Sequence, residues 1–444
     1  MPVKISDILS PAPVKISDNL PPVPVKISDN LYFCKKILKM YRRKIFEKLV
    51  THLAKKEFSI ITGARQTGKS TLLHQMEEYC KTADFPTAFL NLENKSVLTE
   101  LNKHPMNLFG FLPTSSQRIY VFIDEIQYLD DPSNFMKLLF DEHASQLKLI
   151  VTGSSAFYLD EKFNDSLAGR KRIFNLLTCD FEEYLELSDK HQLIDEMNRL
   201  IKQPEAKSTQ LEFLKIEWEN YMIYGGYPAV ITENDKNEKV LLLKEIRDSF
   251  VKRDILESGV SNETAFYQLF RILAEQSGKL VNLNELSTVL RIKNETVVNY
   301  ISVMQKCFHI VLSKPFYRNL RKELIKMPKV YFLDTGLRNC LLNNLQPLHA
   351  RMDKGELWEN QVFRILADKY GMESVYFWRT SAGNEIDFVL PEIENPKAIE
   401  VKFDEAQVKP NKYKLFTDAY PDIPLRFVWF QTFDDMFFKN VADL

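Results

Sequence analysis

The segment Gly63-Ala64-Arg65-Gln66-Thr67-Gly68-Lys69-Ser70 constrains the fold of this chain more than any other stretch. It matches G-x-x-x-x-G-K-[ST], follows a short apolar strand from Phe58 to Thr62 and opens a helix from Thr71 to Cys80. That strand-turn-helix order is the context in which the string becomes a phosphate-binding loop. Glycines let main-chain N–H groups turn inward around an anion, and the helix amino end adds partial positive charge. Lys69 is expected to reach the outer phosphates and Ser70 to bring a hydroxyl to Mg²⁺. Gly63, Ala64, Arg65, Gln66, Thr67, Gly68, Lys69, Ser70 and Thr71 are therefore the expected nucleotide-binding residues, with ATP and Mg²⁺ as cofactors.

A loop of this kind needs a parallel sheet behind it, and the neighbouring sequence supplies one. Thr87 to Leu92, Ile119 to Ile123 and Leu147 to Thr152 are continuous apolar runs, which suit strands buried on both faces and covered by helices. The Ile119 strand ends in Asp124-Glu125. Asp124 is expected to hold Mg²⁺ through water and Glu125 to polarise the attacking water, an arrangement that separates an ATPase from a P-loop kinase. After the Leu147 strand, Ser154 is expected near the γ-phosphate, although small polar residues there are also ordinary turn formers. Arg170 reads either as an arginine finger on a neighbouring subunit's nucleotide, hence a homo-oligomer, or as a surface arginine.

At 444 residues the chain is too long for one core and suggests about three domains on a prior of ~150 residues each. Residues 1–37 carry PVKISD starting at Pro2, Pro13 and Pro24, proline-bearing and poor in apolar residues, and read as a flexible tail. Residues 38–172 form the α/β nucleotide-binding core. Residues 173–260 read as a helical lid, with helical spacing at Phe181 to Leu187, Leu193 to Ile201 and Leu211 to Tyr224. Residues 261–345 show helices from Phe266 to Ser277, Leu283 to Leu290 and Glu295 to Lys306 before a β-hairpin, the order of a winged helix-turn-helix. Residues 346–444 begin with an amphipathic helix from Glu356 to Tyr370, ended by Gly371, and turn to strands.

The five cysteines are odd in number, dispersed and never paired as Cys-x-x-Cys, which argues against a disulfide framework or a zinc site. With no apolar signal-peptide core and no membrane-length apolar run, a cytoplasmic protein with no membrane partner is expected. The formal net charge of −1 leaves any nucleic-acid binding to a local patch.

Together "ITGARQTGKSTLL", "FLNLEN", "VFIDEIQYL", "VTGSSAF" and "LAGRKRIFNL" closely resemble a family of prokaryotic AAA-type ATPases. The C-terminal portion of that family carries a domain of unknown function with restriction-endonuclease-like residues. Tyr224-Gly225-Gly226-Tyr227-Pro228 is similar to a signature of the same group. The resemblance runs from about Tyr41 to the C-terminus and implies an AAA-type core, a winged helix and a nuclease-like end.

In that end, Glu385-Ile386-Asp387 and Glu400-Val401-Lys402 lie in two strands whose alternation puts Glu385 with Asp387 on one face and Glu400 with Lys402 on one face. Asp387, Glu400 and Lys402 form the residue set of the PD-(D/E)xK nucleases, in which two carboxylates hold Mg²⁺ and the lysine orients water. Glu359, in the preceding helix, matches the helical acid of many such enzymes. The expected metal ligands are thus Asp387 and Glu400, with Glu359 and Lys402 completing the site; alternating charges on a half-exposed strand are the plain alternative.

In the winged-helix region, Lys293, Asn299 and Lys306 make a mildly basic reading face. Arg318, Arg321, Lys322, Lys326 and Lys329 suit a wing on DNA phosphates, or a solvated basic loop. The sequence therefore predicts Mg²⁺-dependent ATP hydrolysis coupled to nucleic-acid binding and DNA cleavage. The alternative is an ATP-gated binding or signalling switch with a catalytically silent nuclease-like domain.

Overall fold

Apolar strands buried on both faces must satisfy their main-chain groups through neighbouring strands, so such runs assemble in the interior of a sheet. The computed structural model describes residues 41–153, 167–203, 207–258, 260, 262–317, 327–391, 393–430, 433 and 437–444. Here β1 (Phe58–Thr62), β2 (Thr87–Asn91), β3 (Ile119–Asp124), β4 (Leu147–Gly153) and β5 (Lys171–Asn175) form one sheet in the order β2-β3-β4-β1-β5, every pair parallel. β1, β3 and β4 are buried along their whole length. One core, with Phe58, Ile60, Val121 and Leu149, covers one face, and a second, with Ile61, Leu72, Phe122 and Ile150, covers the other.

β5 corrects the expected boundary at 172. Only Phe174 of this edge strand is buried, so it carries no apolar run, and β1 holds it in register from Phe58–Lys171 to Thr62–Asn175. Main-chain pairing rather than its own hydrophobicity makes it a strand. The PVKISD repeats, Ser154 and wing residues 318–326 lie outside the described residues.

Helices Phe181–Leu187, His191–Lys202 and Leu211–Tyr224 follow the sheet. Next come Glu263–Glu275, Leu283–Leu290 and Asn294–Lys306, and then the antiparallel pair β6 (Ile310–Ser313) and β7 (Lys329–Phe332). Helix Lys354–Tyr370 precedes β8 (Tyr376–Arg379), β9 (Glu385–Leu390), β10 (Lys397–Lys402) and β11 (Leu425–Trp429), arranged β11-β10-β9-β8. The β10–β11 pair is parallel and the other two are antiparallel.

One hydrophobic cluster runs through all of these later elements except β8, with Trp218 and Trp358 packed on Phe437, while Trp378 of β8 lies in a separate cluster with Ile386 and Val389. The boundaries expected at 260 and 345 do not interrupt it. Backbone contacts fasten it further. A Cβ on Gly226 would lie 2.2 Å from the Cys179 carbonyl oxygen, and one on Gly336 would lie 2.1 Å from that of Tyr224.

Candidate functional site

β1 delivers the chain to Gly63, where φ is 155° and an added Cβ would meet the Leu176 carbonyl oxygen at 2.0 Å. Gln66 and Gly68 also take positive φ, 59° and 92°, and helix Lys69–Thr82 starts without a side-chain cap. An uncapped helix start leaves its first N–H groups for an anion. Lys69 is buried and donates to the carbonyls of Gly63 at 3.0 Å and Ala64 at 2.7 Å. Thr67 Oγ1 donates to the same Ala64 carbonyl at 2.8 Å. Arg65 and Ser70 are half-buried, whereas Gln66 and Thr71 are exposed.

β4 separates β1 from β3, and its Thr152 connects the two acidic residues at the end of β3. The Thr152 hydroxyl donates to Asp124 Oδ1 and accepts the Glu125 N–H at 3.0 Å. That N–H bond holds Glu125 in a left-handed conformation, φ 59°, which costs a non-glycine residue about 1–3 kcal/mol. The Gln127 side-chain amide donates to the Glu125 carboxylate. Sequence reasoning pointed to Ser154 and missed Thr152. The available signal was the register, because Ile123 pairs with Val151 and the next residues along are Asp124 and Thr152.

Arg43 was also missed. Its guanidinium donates to the carbonyls of Thr67 at 2.9 Å and Leu177 at 2.8 Å, and pairs with buried Glu183 at 3.0 Å. The nucleotide loop is thereby tied to the first helix beyond the sheet. One residue after Leu177, Thr178 takes two bonds from Arg364 of helix Lys354–Tyr370, at 2.8 and 2.7 Å. Arg170 lies at the amino ends of β1 and β5, opposite the loop, and pairs with Asp141 at 2.6 Å. Within one chain it does not reach the loop, so a finger role requires a neighbouring copy.

In the C-terminal sheet β9 and β10 pair as far as Phe388–Ile399, beyond which side chains replace the ladder. Asp387 Oδ2 accepts the Val401 N–H at 2.9 Å, and the Asp387 N–H reaches Glu400 Oε2 at 3.4 Å. Lys402 lies 3.9 Å from Asp387 Oδ2 and donates to Glu400 Oε1, which also accepts from Tyr413 OH at 2.8 Å. Asp387, Glu400 and Lys402 thus converge, with Asp387 and Glu400 buried and Lys402 half-buried at the end of its strand.

The remaining partner overturns an expectation. Lys329, expected on DNA phosphates, is buried, with its ammonium 2.7 Å from Glu385, 3.2 Å from Glu359 and 3.7 Å from Asp387. The pleat of β7 puts Lys329 and Tyr331 on one face, and Tyr331 OH donates to Glu359 at 2.7 Å. Burial pushes the Glu359 and Glu400 carboxyls up, and the Asp387 charge adds to both shifts. Burial acts the same way on Glu385, but Lys329 and Arg379 outweigh it and its pKa falls.

The donor set does not fit a divalent ion in this arrangement. Asp387 Oδ2 is committed to Val401 N–H, both Glu400 oxygens are engaged, and Lys329 stands between Glu359, Glu385 and Asp387. Among the described residues no three His, Cys, Asp or Glu side chains are grouped to hold a metal. Asp387 and Glu400, expected to ligate Mg²⁺, are met in this arrangement by the Val401 N–H, Lys402, Tyr413 and Lys329.

Residues 55–185 match the family described as AAA domain, in keeping with the parallel α/β core. Residues 215–348 and 354–437 match two domains of unknown function, DUF8612 and DUF4143. An uncharacterised protein of Methanocaldococcus jannaschii is 27% identical over 421 residues, covering 92% of this chain and 88% of that protein. An uncharacterised Haemophilus influenzae protein is 25% identical over 336 residues, 73% of this chain and 77% of its own. Among solved structures, the Thermotoga maritima RuvB Holliday junction branch migration motor aligns with a TM-score of 0.31 and 14% identity, covering 64% of this chain and 95% of that one.

Proposed function

We propose that this chain binds ATP with Mg²⁺ and hydrolyses it, and that the nucleotide state governs nucleic-acid recognition by helices Leu283–Leu290 and Asn294–Lys306. The observation that carries the first half is the placement of an uncapped glycine loop with buried Lys69 beside the Asp124–Thr152–Glu125 cluster. Lys69 now rests on loop carbonyls, and a triphosphate would draw its ammonium to the outer phosphates. One hydroxyl from Ser70 and one carboxylate from Asp124, completed by phosphate oxygens and water, make an ordinary Mg²⁺ donor set. When bound, the ion neutralises charge on the β and γ oxygens. Glu125, fixed through its N–H and its carboxylate, orients the attacking water. Arg170 of a neighbouring copy would complete the site in a homo-oligomer.

The test is Glu125→Gln, which should retain ATP while slowing hydrolysis by several powers of ten, as expected when water positioning is lost. Turnover at the wild-type rate would remove Glu125 from this role.

Nucleic-acid recognition is supported by the exposed residues Arg291, Lys293, Asn294, Val298 and Asn299 around the start of the second helix. Asparagine amides suit adenine edges, a valine suits a thymine methyl, and the two cations suit phosphates. Fluorescence anisotropy with duplex, branched and single-stranded DNA tests this half, and no binding at low salt, with or without ATP, would sink it. For the C-terminal domain, Lys329 among the carboxylates favours the reading in which it is nuclease-like in form but catalytically silent. No helix among the described residues is long and apolar enough to cross a membrane.

A further inference from the structure

We propose that Lys329 is the resident cation of the C-terminal carboxylate cluster, an ammonium supplied by the adjoining β-hairpin that takes the place of a divalent ion and excludes it. The charges support this. Glu359, Glu385, Asp387 and Glu400 crowd one cleft, and buried like charges at this density need cations among them. Lys402 serves the Glu400 side and Arg379 the outer oxygen of Glu385 at 2.5 Å. Among the described residues, Lys329 alone bridges Glu359, Glu385 and Asp387.

Its position is held from several directions. Val330 donates its N–H to the Lys279 carbonyl at 3.2 Å, and the Lys329 ammonium lies 5.5 Å from the centre of the Phe377 ring. The Phe332 main chain is paired by the Asn360 amide in both directions at 2.8 Å. Gly278, φ 79°, leaves the space Glu359 needs, since a Cβ there would stand 3.0 Å from its carboxylate. A cleft of about 320 Å³ lined by Gly278, Glu359, Asp387 and Lys402 opens beside the cluster, so a small ion can reach the carboxylates from solvent. Charge and not access is what keeps it out. A unit positive charge this close to the carboxylates repels an incoming cation even through a screening medium.

The experiment uses the full chain and Tb³⁺ luminescence, with Mn²⁺ as a second probe. Lys329→Met should bind one more Tb³⁺ than wild type, at least about tenfold more tightly than any wild-type site lost on Asp387→Asn, a deliberately low bound given the repulsion above. Adding Asp387→Asn to Lys329→Met should abolish the gain. A folded Lys329→Met chain that binds no more Tb³⁺ than wild type would overturn the proposal, as would a wild-type site of equal affinity that Asp387→Asn removes. If Lys329→Met fails to fold, the wild-type chain still decides the matter through acetylation of Lys329 followed by mass spectrometry. The lysine should be modified at the same slow rate with or without millimolar Mg²⁺ or Mn²⁺. Acceleration by either metal would mean that the ion displaces the ammonium, and the assignment would fail.

Discussion

Replacing Gly336 with alanine sets local preference against tertiary packing. Gly336 is the second residue of helix Thr335–Leu341, and within a helix alanine is better than glycine by about 0.5–1 kcal/mol. The structure reverses the sign. The new Cβ would lie 2.1 Å from the carbonyl oxygen of Tyr224, 2.4 Å from its carbon and 2.8 Å from the nitrogen of Gly225. All three are main-chain atoms that no rotamer change can move. The two helices are also held together by Asn339, whose amide donates to the carbonyls of Met222 at 3.0 Å and Ile223 at 2.9 Å. Overpacking against a fixed partner costs about 1–3 kcal/mol, and here the upper end applies, leaving a net loss of about 2 kcal/mol after the helix gain. For a unit of this size that is a fall in Tm of about 4–8 °C. Gly355, second in helix Lys354–Tyr370, is the matched control, because a Cβ there meets nothing within 4 Å. Urea titration followed by tryptophan fluorescence reads the shared core directly, since Trp218 and Trp358 both lie in it. Gly355→Ala should be neutral or stabilising. If Gly336→Ala were as stable as wild type, the close approach of the two helices would be refuted.

Lys69→Ala should abolish ATP binding or turnover, measured by calorimetry and phosphate release, because it removes the cation expected to neutralise the outer phosphates. Thr152→Val should keep ATP binding but lower turnover by about tenfold, roughly 1.4 kcal/mol of barrier, while Thr152→Ser restores it; equal rates in all three chains would discount the Thr152 contacts. Arg43→Met should destabilise the chain by about 3–5 kcal/mol by leaving buried Glu183 unpaired, and Arg43→Met with Glu183→Gln should recover part of that loss in urea titration. If the wing touches about four phosphates, the log of DNA affinity should fall against log salt with a slope near −3.6, and Arg321→Ala with Lys322→Ala should make it shallower.

The nucleotide loop, β1 to β4 and the helices after the sheet were legible because each is encoded locally. Glycine spacing defines the loop, continuous apolar runs define strands buried on both faces, and helical apolar spacing defines Phe181–Leu187 and Leu211–Tyr224 to the residue. Alternation also placed Glu385 with Asp387 and Glu400 with Lys402 correctly within their strands. What sequence could not supply was the identity of partners far apart along the chain. Lys329 looked like one more cation in a basic stretch until β7 packed against helix Lys354–Tyr370 and brought it to Glu359 and Glu385. Arg43 met Glu183, and Thr152 met Asp124, only when the strands and helices closed around the loop. β5 carries no burial pattern of its own and is a strand because β1 offers it an edge. Local periodicity reports which face of an element is buried, whereas the charge that neutralises a buried carboxylate depends on which other element the core draws against it. Only the tertiary structure brought Lys329 to the carboxylates of the C-terminal cluster.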